Sequence, residues 1–312
     1  MSNVITADEI DFALYMDSTE AEHKVRSSMA FRSDVRDYFH GERRNAGAVM
    51  PWAKTHDKIR FRPAEVTVWS GLNGHGKSLV LGQTCSGFVD QGLKVCIASF
   101  EMRPVVTLAR MCRQVAASAR PAPEVIDAFH AATNNKLYLY DQQGSVRPEM
   151  VLAVARYCAD KLNVHHFVID SLMKCGVPED GPQAFNLQRD FMDRLCCVAK
   201  DTGMHLHLVA HSRKPRTEAD RPGKYDVKGS GTFSDQADNI ITVWRNKEKE
   251  EKVRTGEVVE ADKPDAILGI EKQRNGEWEG SVGLWYLPAS LQFIEHSGGY
   301  PMPLLKLPKA GI

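Results

Sequence analysis

GLNGHGKS, residues 71–78, is the most informative segment of this 312-residue chain. It fits the P-loop pattern G-x-x-x-x-G-K-[ST] without exception. In that pattern the glycines let backbone N–H groups wrap around a phosphate, Lys77 can reach the β and γ phosphates, and Ser78 can coordinate Mg²⁺. A chance glycine-rich turn is the alternative. The apolar stretch EVTVWS before the segment and the helical pattern after it favour the phosphate site.

Strand-like apolar runs alternate with helical patterns on the C-terminal side of this segment. Strands are predicted at 65–70, 94–99, 137–140, 166–169 and 206–210, and helices at 77–91, 104–117, 147–161 and 187–202. Such alternation predicts an α/β fold with a mostly parallel sheet and helices on both faces. Beyond residue 238 only strands are predicted, at 240–245, 267–274, 282–287 and 291–294. We expect them to extend the sheet antiparallel at its C-terminal edge.

The remaining segments divide the chain into three predicted parts. Residues 1–50 form an N-terminal segment, with one or two amphipathic helices over 8–41 and a linker over 42–51. Residues 51–300 form one large domain, and 301–312 form a C-terminal tail. Within the domain, the charged run KEKEEKVRTGEVVEADKPD, residues 247–265, predicts a solvated loop between two strands.

Composition narrows the functional classes. Lys plus Arg and Asp plus Glu number 40 each, so any nucleic-acid site must concentrate its positive charge locally. No apolar stretch approaches the roughly 18 residues of a membrane span, and the acidic N-terminus lacks the pattern of a signal peptide. We therefore expect a cytoplasmic protein without a membrane partner. The seven cysteines form no CxxC pair, and most of them lie inside apolar runs, as reduced core thiols do.

Two acidic residues follow predicted strands and are candidates for ATP chemistry. Asp170 ends FVID, where it could hold a metal through water, although a capping aspartate is the alternative. Glu101 follows KVCIASF, a strand that we expect to lie next to the P-loop strand, and it could orient the attacking water. On spacing alone, an ordinary first-turn glutamate is the simpler reading of Glu101.

Histidines at 205, 207 and 211 share one face of a predicted strand, and such a cluster could form a metal site. No Cys, Asp or Glu at suitable spacing completes a ligand set, so no metal is assigned to them.

Taken together, the motifs resemble those of DnaB-family replicative helicases, in pattern closest to the helicase halves of phage primase-helicases and Twinkle. The motifs occur in the family's order over residues 51–294: GLNGHGKS, SFEM (99–102), VIDS (168–171), LVAHSRKP (208–215), KGSGTFSDQADNIITVWRN (228–246) and EKQRNG (271–276). The resemblance implies a RecA-like motor domain that uses ATP and Mg²⁺.

Carried onto matching positions, the resemblance implies a role for each site residue. Lys77 and Ser78 would bind phosphate and Mg²⁺, Asp170 would assist the metal, and Glu101 would be the catalytic base. His211, expected at the end of its strand, would sense the γ phosphate; a solvent-facing strand end is the alternative. The P-loop residues that would surround the nucleotide are Gly71, Leu72, Asn73, Gly74, His75, Gly76, Lys77 and Ser78.

Two further pairs match family positions. Lys272 and Arg274 are two apart, so a strand would project both from one face, together with Leu268 and Ile270. The alternative is that the two cations have no role in catalysis and mark only the point where the strand leaves the core. The resemblance implies that both reach the neighbouring subunit's nucleotide, with Arg274 as the arginine finger. Arg245 and Tyr286 match positions that sandwich adenine, although Tyr286 could equally pack on the core.

The span after His211 is the candidate DNA contact. Residues 213–228 hold six cations against three acids, which is typical of a solvated surface loop or of a DNA-binding loop. The resemblance implies that this span lines a central channel for single-stranded DNA. The implied DNA-binding residues are Arg213, Lys214, Arg216, Lys224, Lys228, Gly229, Ser230 and Gly231.

The function implied is an ATP-dependent DNA helicase that forms a homo-oligomeric, hexameric ring, moves 5′ to 3′ on single-stranded DNA and unwinds forked duplex. A primase or a loader protein would be its partner. Two other classes stay open: a RecA-type recombination or repair ATPase, and a RecA-like regulatory ATPase without unwinding activity. The order of KGSG and EKQRNG favours the helicase over both.

Overall fold

The computed structural model describes residues 4–5, 27–40, 47–178, 181–213, 220–228 and 231–308. Within them the helices are α1 (Arg32–His40), α2 (Lys77–Asp90), α3 (Pro104–Ala116), α4 (Pro123–Thr133), α5 (Pro148–Leu162), α6 (Ala184–Thr202), α7 (Thr232–Gln236) and α8 (Lys247–Thr255). The strands are β1 (Val4–Ile5), β2 (Val66–Ser70), β3 (Val95–Ser99), β4 (Leu137–Tyr140), β5 (His166–Asp170), β6 (His205–Val209), β7 (Asn239–Arg245), β8 (Ala266–Gln273), β9 (Gly280–Leu287) and β10 (Gln292–Ile294).

The strands form one sheet in the order β1-β4-β3-β5-β6-β2-β7-β8-β9-β10. From β1 to β7 every pairing is parallel, and β8, β9 and β10 continue the sheet antiparallel. The predicted α/β class, with a parallel centre and an antiparallel C-terminal edge, is confirmed. The predicted position of β3 is wrong, because β5 and β6 lie between β3 and the P-loop strand β2.

Apolar cores lie on both faces of the sheet, as expected for strands that are buried throughout. One core joins the strands to α5, α6 and α7, with Phe167, Phe191 and Phe233 among its buried side chains. The other joins them to α2, α3 and α4, with Phe88 and Phe129 at its centre. The parallel strands therefore end at one edge between two helical layers, which is where open α/β sheets bind their ligands.

The charged run 247–265 does not form the predicted loop over its first half. Residues Lys247–Thr255 form α8, whose N-cap Asn246 accepts a hydrogen bond from the Lys249 amide at 3.0 Å. Ion pairs along the exposed helix, such as Lys252 Nζ to Glu248 Oε1 at 2.6 Å, replace an apolar face in stabilising it. Gly256 ends the helix in the left-handed conformation.

Near the N-terminus the structure describes part of the predicted helical segment. A 3₁₀ turn, Ser28–Phe31, leads into α1. The predicted apolar positions Phe31, Val35 and Phe39 are 39%, 52% and 61% exposed. The rest of the segment predicted over 8–41, and residues 42–46 of the predicted linker, lie outside the described residues.

A register shift between β7 and β8 changes the face of the sheet on which Lys272 lies. Ile270 pairs with Ile241, whereas Lys272 pairs with Ile240, so that one extra residue stands in β8 at this point. Because Ile240 and Ile241 point to opposite faces of the sheet, the shift turns Lys272 away from the face that holds Ile270. The predicted continuous face of Leu268, Ile270, Lys272 and Arg274 is therefore wrong.

Candidate functional site

The P-loop connects the carboxyl end of β2 to the first residue of α2. Gly71 has φ +155°, and a Cβ on it would collide with the carbonyl oxygen of Val243 on β7. Gly76, the residue before α2, has φ +87°. The backbone thus takes a conformation that only glycine adopts readily at these two positions. It brings the N-terminus of α2, with its unpaired amides and positive dipole end, to the position predicted for phosphate.

Lys77 is buried at the base of this loop. Its Nζ donates to the carbonyl oxygens of Gly71 at 2.7 Å and Leu72 at 3.0 Å, and it lies 3.4 Å from Nδ1 of His211. Burial lowers the pKa of Lys77 to about 8, while the charges of Asp170 and Glu101 act to raise it. A buried cation whose donors meet only neutral atoms is suited to an anionic ligand.

Ser78 and Asp170 meet across the site. Ser78 Oγ donates to Asp170 Oδ2 at 2.7 Å, and Asp170 is 7% exposed at the end of β5. Burial raises the pKa of Asp170, against the lowering effect of the Ser78 hydrogen bond. A hydroxyl and a carboxylate in contact are hard oxygen donors of the kind that Mg²⁺ prefers. These two residues therefore fit the predicted metal position.

Glu101, the predicted base, follows β3 and is exposed to the same space. Its Oε1 accepts a hydrogen bond from Ser171 Oγ at 2.7 Å. Because β3 and β5 are neighbours, Ser99 pairs with Asp170, and the residues that follow each strand meet at one edge. Glu101 thus lies at the site because β3 is next to β5, although β3 is not next to the P-loop strand β2.

The P-loop, Glu101, Asp170 and His211 line one cavity of about 1080 Å³. Sequence reasoning missed two further cations in its wall, Arg110 and Arg113 on α3. Arg110 Nη1 lies 2.8 Å from the Met102 sulfur, and its charge acts on Asp170. Their spacing of three residues on the helix that follows Glu101 could have revealed them, because it places both on one helical face.

His211 lies two residues beyond the end of β6, not at the strand end as predicted. Its carbonyl oxygen accepts a hydrogen bond from the amide of Lys228 at 2.7 Å, and the next residue, Ser212, donates its amide to Gly71 O at 3.1 Å. Ser212 also forms an antiparallel bridge with Val227. The two ends of the candidate DNA segment are thereby joined to each other and to the P-loop.

Of the predicted DNA-binding residues, the structure describes Arg213, Lys224, Lys228 and Gly231; Lys214, Arg216, Gly229 and Ser230 lie outside the described residues. Arg213 is exposed, and its amide donates to Asp226 O at 2.6 Å. Lys224 Nζ lies 5.4 Å from the ring centroid of Tyr225, which is 79% exposed. A cation beside an exposed aromatic ring is a pairing used for single-stranded nucleic acid.

Arg245 and Tyr286, the predicted adenine sandwich, touch each other. The Arg245 guanidinium lies 4.0 Å from the Tyr286 ring centroid, which leaves no room for a base between them in this conformation. Arg245 Nε pairs with Glu250 Oε2 of α8 at 3.2 Å, and its amide donates to His75 Nδ1 at 3.0 Å. Arg245 also lines the nucleotide cavity. An adenine sandwich would require the two side chains to separate.

Among the residues that the structure describes, neither Lys272 nor Arg274 lines the nucleotide cavity of its own chain. Lys272 is half-buried, and burial and the nearby Arg274 lower its pKa. Arg274 pairs with Asp238 at 2.9 Å. Both cations contact α7, and β8, which carries Lys272, is separated from the P-loop strand β2 by β7.

The predicted histidine face divides between the core and the cavity. His205 and His207 are fully buried on β6, where His207 Nε2 lies 3.1 Å from Nδ1 of His166, while His211 lies at the cavity. Trp69 Nε1 donates to His207 Nδ1 at 3.1 Å. Within the described residues no group of three or more His, Cys, Asp or Glu side chains could hold a metal ion.

A parallel sheet with a P-loop at the carboxyl end of a central strand, an acid ending another strand and an antiparallel C-terminal edge defines a RecA-like P-loop ATPase domain. Comparison with protein families carries the identification further. Residues 59–295 match the model of the DnaB-like helicase C terminal domain, which is most of the chain. The chain belongs to the DnaB-like helicase family.

Solved structures agree on the fold. A solved ATPase domain superposes with a TM-score of 0.71 at 14% identity, covering 86% of this chain and 99% of that one. A DnaB-like replicative helicase, solved in a study of its interactions with primase, superposes with a TM-score of 0.70 at 14% identity, covering 86% of this chain and 68% of that one. At this identity the likeness concerns the fold.

In the described part of the chain, every helix is too short or too polar to span a bilayer.

Proposed function

We propose that this chain is the motor of a ring-forming replicative DNA helicase that hydrolyses ATP, moves 5′ to 3′ on single-stranded DNA and unwinds forked duplex. One observation carries the proposal: the candidate DNA segment is hydrogen-bonded at its ends to the nucleotide site. Lys228 is joined to His211, and Ser212 is joined to Gly71, in each case through the backbone. We propose that a change in either site is transmitted to the other through these backbone hydrogen bonds.

The residues in the cavity divide the work of hydrolysis between them. Lys77 and the α2 N-terminus would bind the phosphates of ATP, and Ser78 and Asp170 supply oxygen ligands for Mg²⁺, which neutralises phosphate charge when bound. Glu101 would orient the attacking water and accept its proton. His211, 3.4 Å from Lys77 Nζ, would sense whether the γ phosphate is present.

Arg274 and Lys272 support a site shared between subunits. Because neither contributes to its own chain's cavity, we propose that they act on the nucleotide of the neighbouring subunit, with Arg274 as the arginine finger. Such a finger stabilises charge in the phosphoryl-transfer transition state and contributes about 10³ to 10⁵ in rate. Hydrolysis would then depend on assembly of a homo-oligomer, which we propose is a hexamer.

The exposed apolar side of the N-terminal segment supports the same assembly. Phe31, Val35 and Phe39 form it, and removing such apolar side chains from water is a favourable contribution to association. An apolar groove of about 790 Å³ between α3 and α4 could receive it on another copy of the chain, where Leu108 and Ile126 line the groove. We propose that residues 1–50 pack on the adjacent subunit of the ring, ahead of a motor domain over 51–300 and a tail over 301–312.

The predicted partners follow from this role. Single-stranded DNA would pass through a channel lined by Arg213, Lys224, Lys228 and the neighbouring predicted residues. A primase or a loader protein would act beside the ring, in the cytoplasm of a bacterium or of a phage-infected cell.

ATP hydrolysis by the assembled protein, measured with and without single-stranded DNA, tests the proposal. We expect DNA to stimulate hydrolysis, and we expect Lys77→Ala to abolish it because the phosphate site loses its cation. The matched control is Lys161→Ala, on an exposed lysine that pairs with Asp160 at the end of α5. A rate that DNA leaves unchanged would instead support a RecA-like regulatory ATPase.

A further inference from the structure

The two cations assigned to the neighbouring subunit's nucleotide are attached to the C-terminal end of α7. Lys272 Nζ donates to the carbonyl oxygens of Ser234 and Asp235, both at 2.8 Å. Arg274 Nη2 donates to the carbonyl oxygens of Asp235 at 3.4 Å and Gln236 at 3.3 Å. The last carbonyls of a helix have no partner within it and carry its negative dipole end, so cations there are favourable.

Asp238, immediately after α7, fixes Arg274 from the other side. Its Oδ1 accepts from Arg274 Nη1 at 2.9 Å, and its carbonyl oxygen accepts from the Arg274 amide at 2.8 Å. The carboxylate is 10% exposed and the Arg274 side chain 47% exposed. A nearly buried carboxylate therefore sets the direction of a half-exposed guanidinium.

The second oxygen of Asp238 reaches the P-loop strand. Oδ2 accepts from the amide of Val66, the first residue of β2, at 2.9 Å, and the Asp238 amide donates to Val66 O at 2.9 Å. One carboxylate thus contacts both the start of the strand that carries this subunit's P-loop and the arginine assigned to the next subunit's ATP.

The helix α7 is also attached to the candidate DNA segment. Ser234 Oγ donates to the carbonyl oxygen of Lys224 at 2.8 Å. Lys272 and Arg274 therefore hold the end of a one-turn helix that also contacts a residue proposed to bind DNA. The same helix is attached to α6, where Gln236 Nε2 donates to Asp193 Oδ1 at 2.5 Å. The hydrogen bond from Ser234 to Lys224 is therefore the contact through which a displacement of the DNA segment can reach α7 and the two cations.

We infer that Asp238 is a positioning residue for Arg274, and that α7 passes the state of the DNA segment to Lys272 and Arg274. This inference rests on the proposed function, because it takes Arg274 to act in the neighbouring site. Asp238 would thus affect hydrolysis through Arg274, without touching the nucleotide itself. Stimulation of hydrolysis by DNA would travel through α7.

The variant Asp238→Asn tests the positioning role, since asparagine has the same shape and can still accept from Val66. Its amide would face the Arg274 guanidinium with a donor in place of an acceptor. We expect kcat to fall about tenfold to a hundredfold, as for a misplaced catalytic group, while the Kd for ATP stays within about twofold. The matched control is Glu65→Gln, which alters a buried carboxylate that accepts from Asn239 and Asn275 in the same polar region. That variant should keep kcat within about twofold of the parent.

Mixed rings separate positioning from damage to the chain's own P-loop. In a mixture of Asp238→Asn and Lys77→Ala subunits, an Asp238→Asn site can be completed by the intact Arg274 of a Lys77→Ala neighbour. We expect the rate of ATP hydrolysis by the mixture to exceed the sum of the rates of the two variants measured separately. If Asp238→Asn acts only by disturbing β2, the mixture will show no gain, and the positioning role is overturned.

The same mixing experiment with Arg274→Ala in place of Asp238→Asn distinguishes the two levels of the proposal. No gain with Arg274→Ala would overturn the finger in trans. A gain with Arg274→Ala but none with Asp238→Asn would overturn the present inference alone.

A milder variant tests the link through α7 and guards against misfolding of Asp238→Asn. Ser234→Ala removes only the hydrogen bond to Lys224 O. We expect the ratio of kcat with single-stranded DNA to kcat without it to fall at least about twofold, as for one lost hydrogen bond. A ratio equal to that of the parent would overturn the proposed route from DNA to Arg274.

Discussion

The amide of Ser212 donates a hydrogen bond of 3.1 Å to the carbonyl oxygen of Gly71, which joins the start of the P-loop to the start of the candidate DNA segment. Gly71 O also accepts from Lys77 Nζ at 2.7 Å. The lysine that would bind phosphate and the backbone that leads to the DNA segment therefore share one acceptor. We expect that Lys77, on turning towards phosphate, would leave this shared oxygen to Ser212 alone.

The lowered pKa of Lys77 makes nucleotide binding depend on pH. Burial lowers this pKa to about 8, so below pH 8 the free protein holds a charged Lys77 and above it a neutral one. Because phosphate binding requires the charged form, the Kd for ATP should rise about tenfold for each pH unit above 8. Calorimetry at pH 7.5, 8.5 and 9.5 measures this, with proton uptake read from buffers of different ionisation enthalpy. Lys77→Arg, which stays charged, should remove the dependence, and a flat profile for the parent would disprove it.

The buried histidines should make the fold sensitive to mild acid. Burial lowers the pKa of His205 to about 4 and holds the pKa values of His166 and His207 well below 6.5. These depressed pKa values mean that the unfolded chain takes up protons below about pH 6.5 while the folded chain does not, so stability falls as pH falls. Three such groups should lower the free energy of unfolding by about 4 kcal/mol between pH 7.5 and 5.5.

Urea unfolding at the two pH values measures this loss. His207→Leu removes one of the three titrating groups and should make the loss about one third smaller, whatever its effect on stability at pH 7.5. An equal loss in parent and variant would exclude the histidine cluster as its source.

The contact between Arg245 and Tyr286 makes a prediction for base recognition. If the pair opens to stack on adenine, Tyr286→Ala should raise the Kd for ATP about tenfold, because one stacked base contributes about 1 to 3 kcal/mol. The Kd for tripolyphosphate, which has no base, should change far less. Tyr286→Phe keeps the ring and serves as the control. Equal losses for ATP and tripolyphosphate would show that Tyr286 acts only by packing on Phe293, 5.0 Å away between ring centroids.

Lys228 is expected to contact the DNA backbone. Lys228→Ala should weaken binding of single-stranded DNA and reduce the slope of log K against log salt by about one unit, as for one lost phosphate contact. Fluorescence anisotropy with a labelled oligonucleotide between 50 and 200 mM salt, about the range in which such contacts are resolved, measures both. Lys161→Ala should leave the slope unchanged. An unchanged slope for Lys228→Ala would indicate a merely solvated segment.

The sequence was sufficient for the elements whose signals are local. Strands β2 to β10 begin and end within a few residues of their predicted bounds, and so do helices α2, α3, α5 and α6. α8 was missed because it has no apolar face, although its caps, Asn246 and Gly256, were present in the sequence. α4, which begins at Pro123, was missed because Pro121 and Pro123 signal a turn as readily as the start of a helix.

The order and register of the strands could not be predicted from the sequence. The place of β3 beyond β5 and β6 depends on which strands pair, and the extra residue in β8 that redirects Lys272 depends on register with β7. Ser78 and Asp170, by contrast, were each predicted to lie at the metal position, and their side chains are in contact. The roles of Arg245, Tyr286, Lys272 and Arg274 stay predictions, since each depends on a ligand or on another subunit.

Strand displacement on forked DNA decides whether this chain is a helicase motor. The assembled protein, with ATP and Mg²⁺, is given forks that carry a single-stranded tail on either the 5′ or the 3′ side. We predict release of the displaced strand from forks with a 5′ loading tail and none with Lys77→Ala. Hydrolysis of ATP without displacement on either fork would contradict the proposed function and support a RecA-type ATPase that does not unwind DNA.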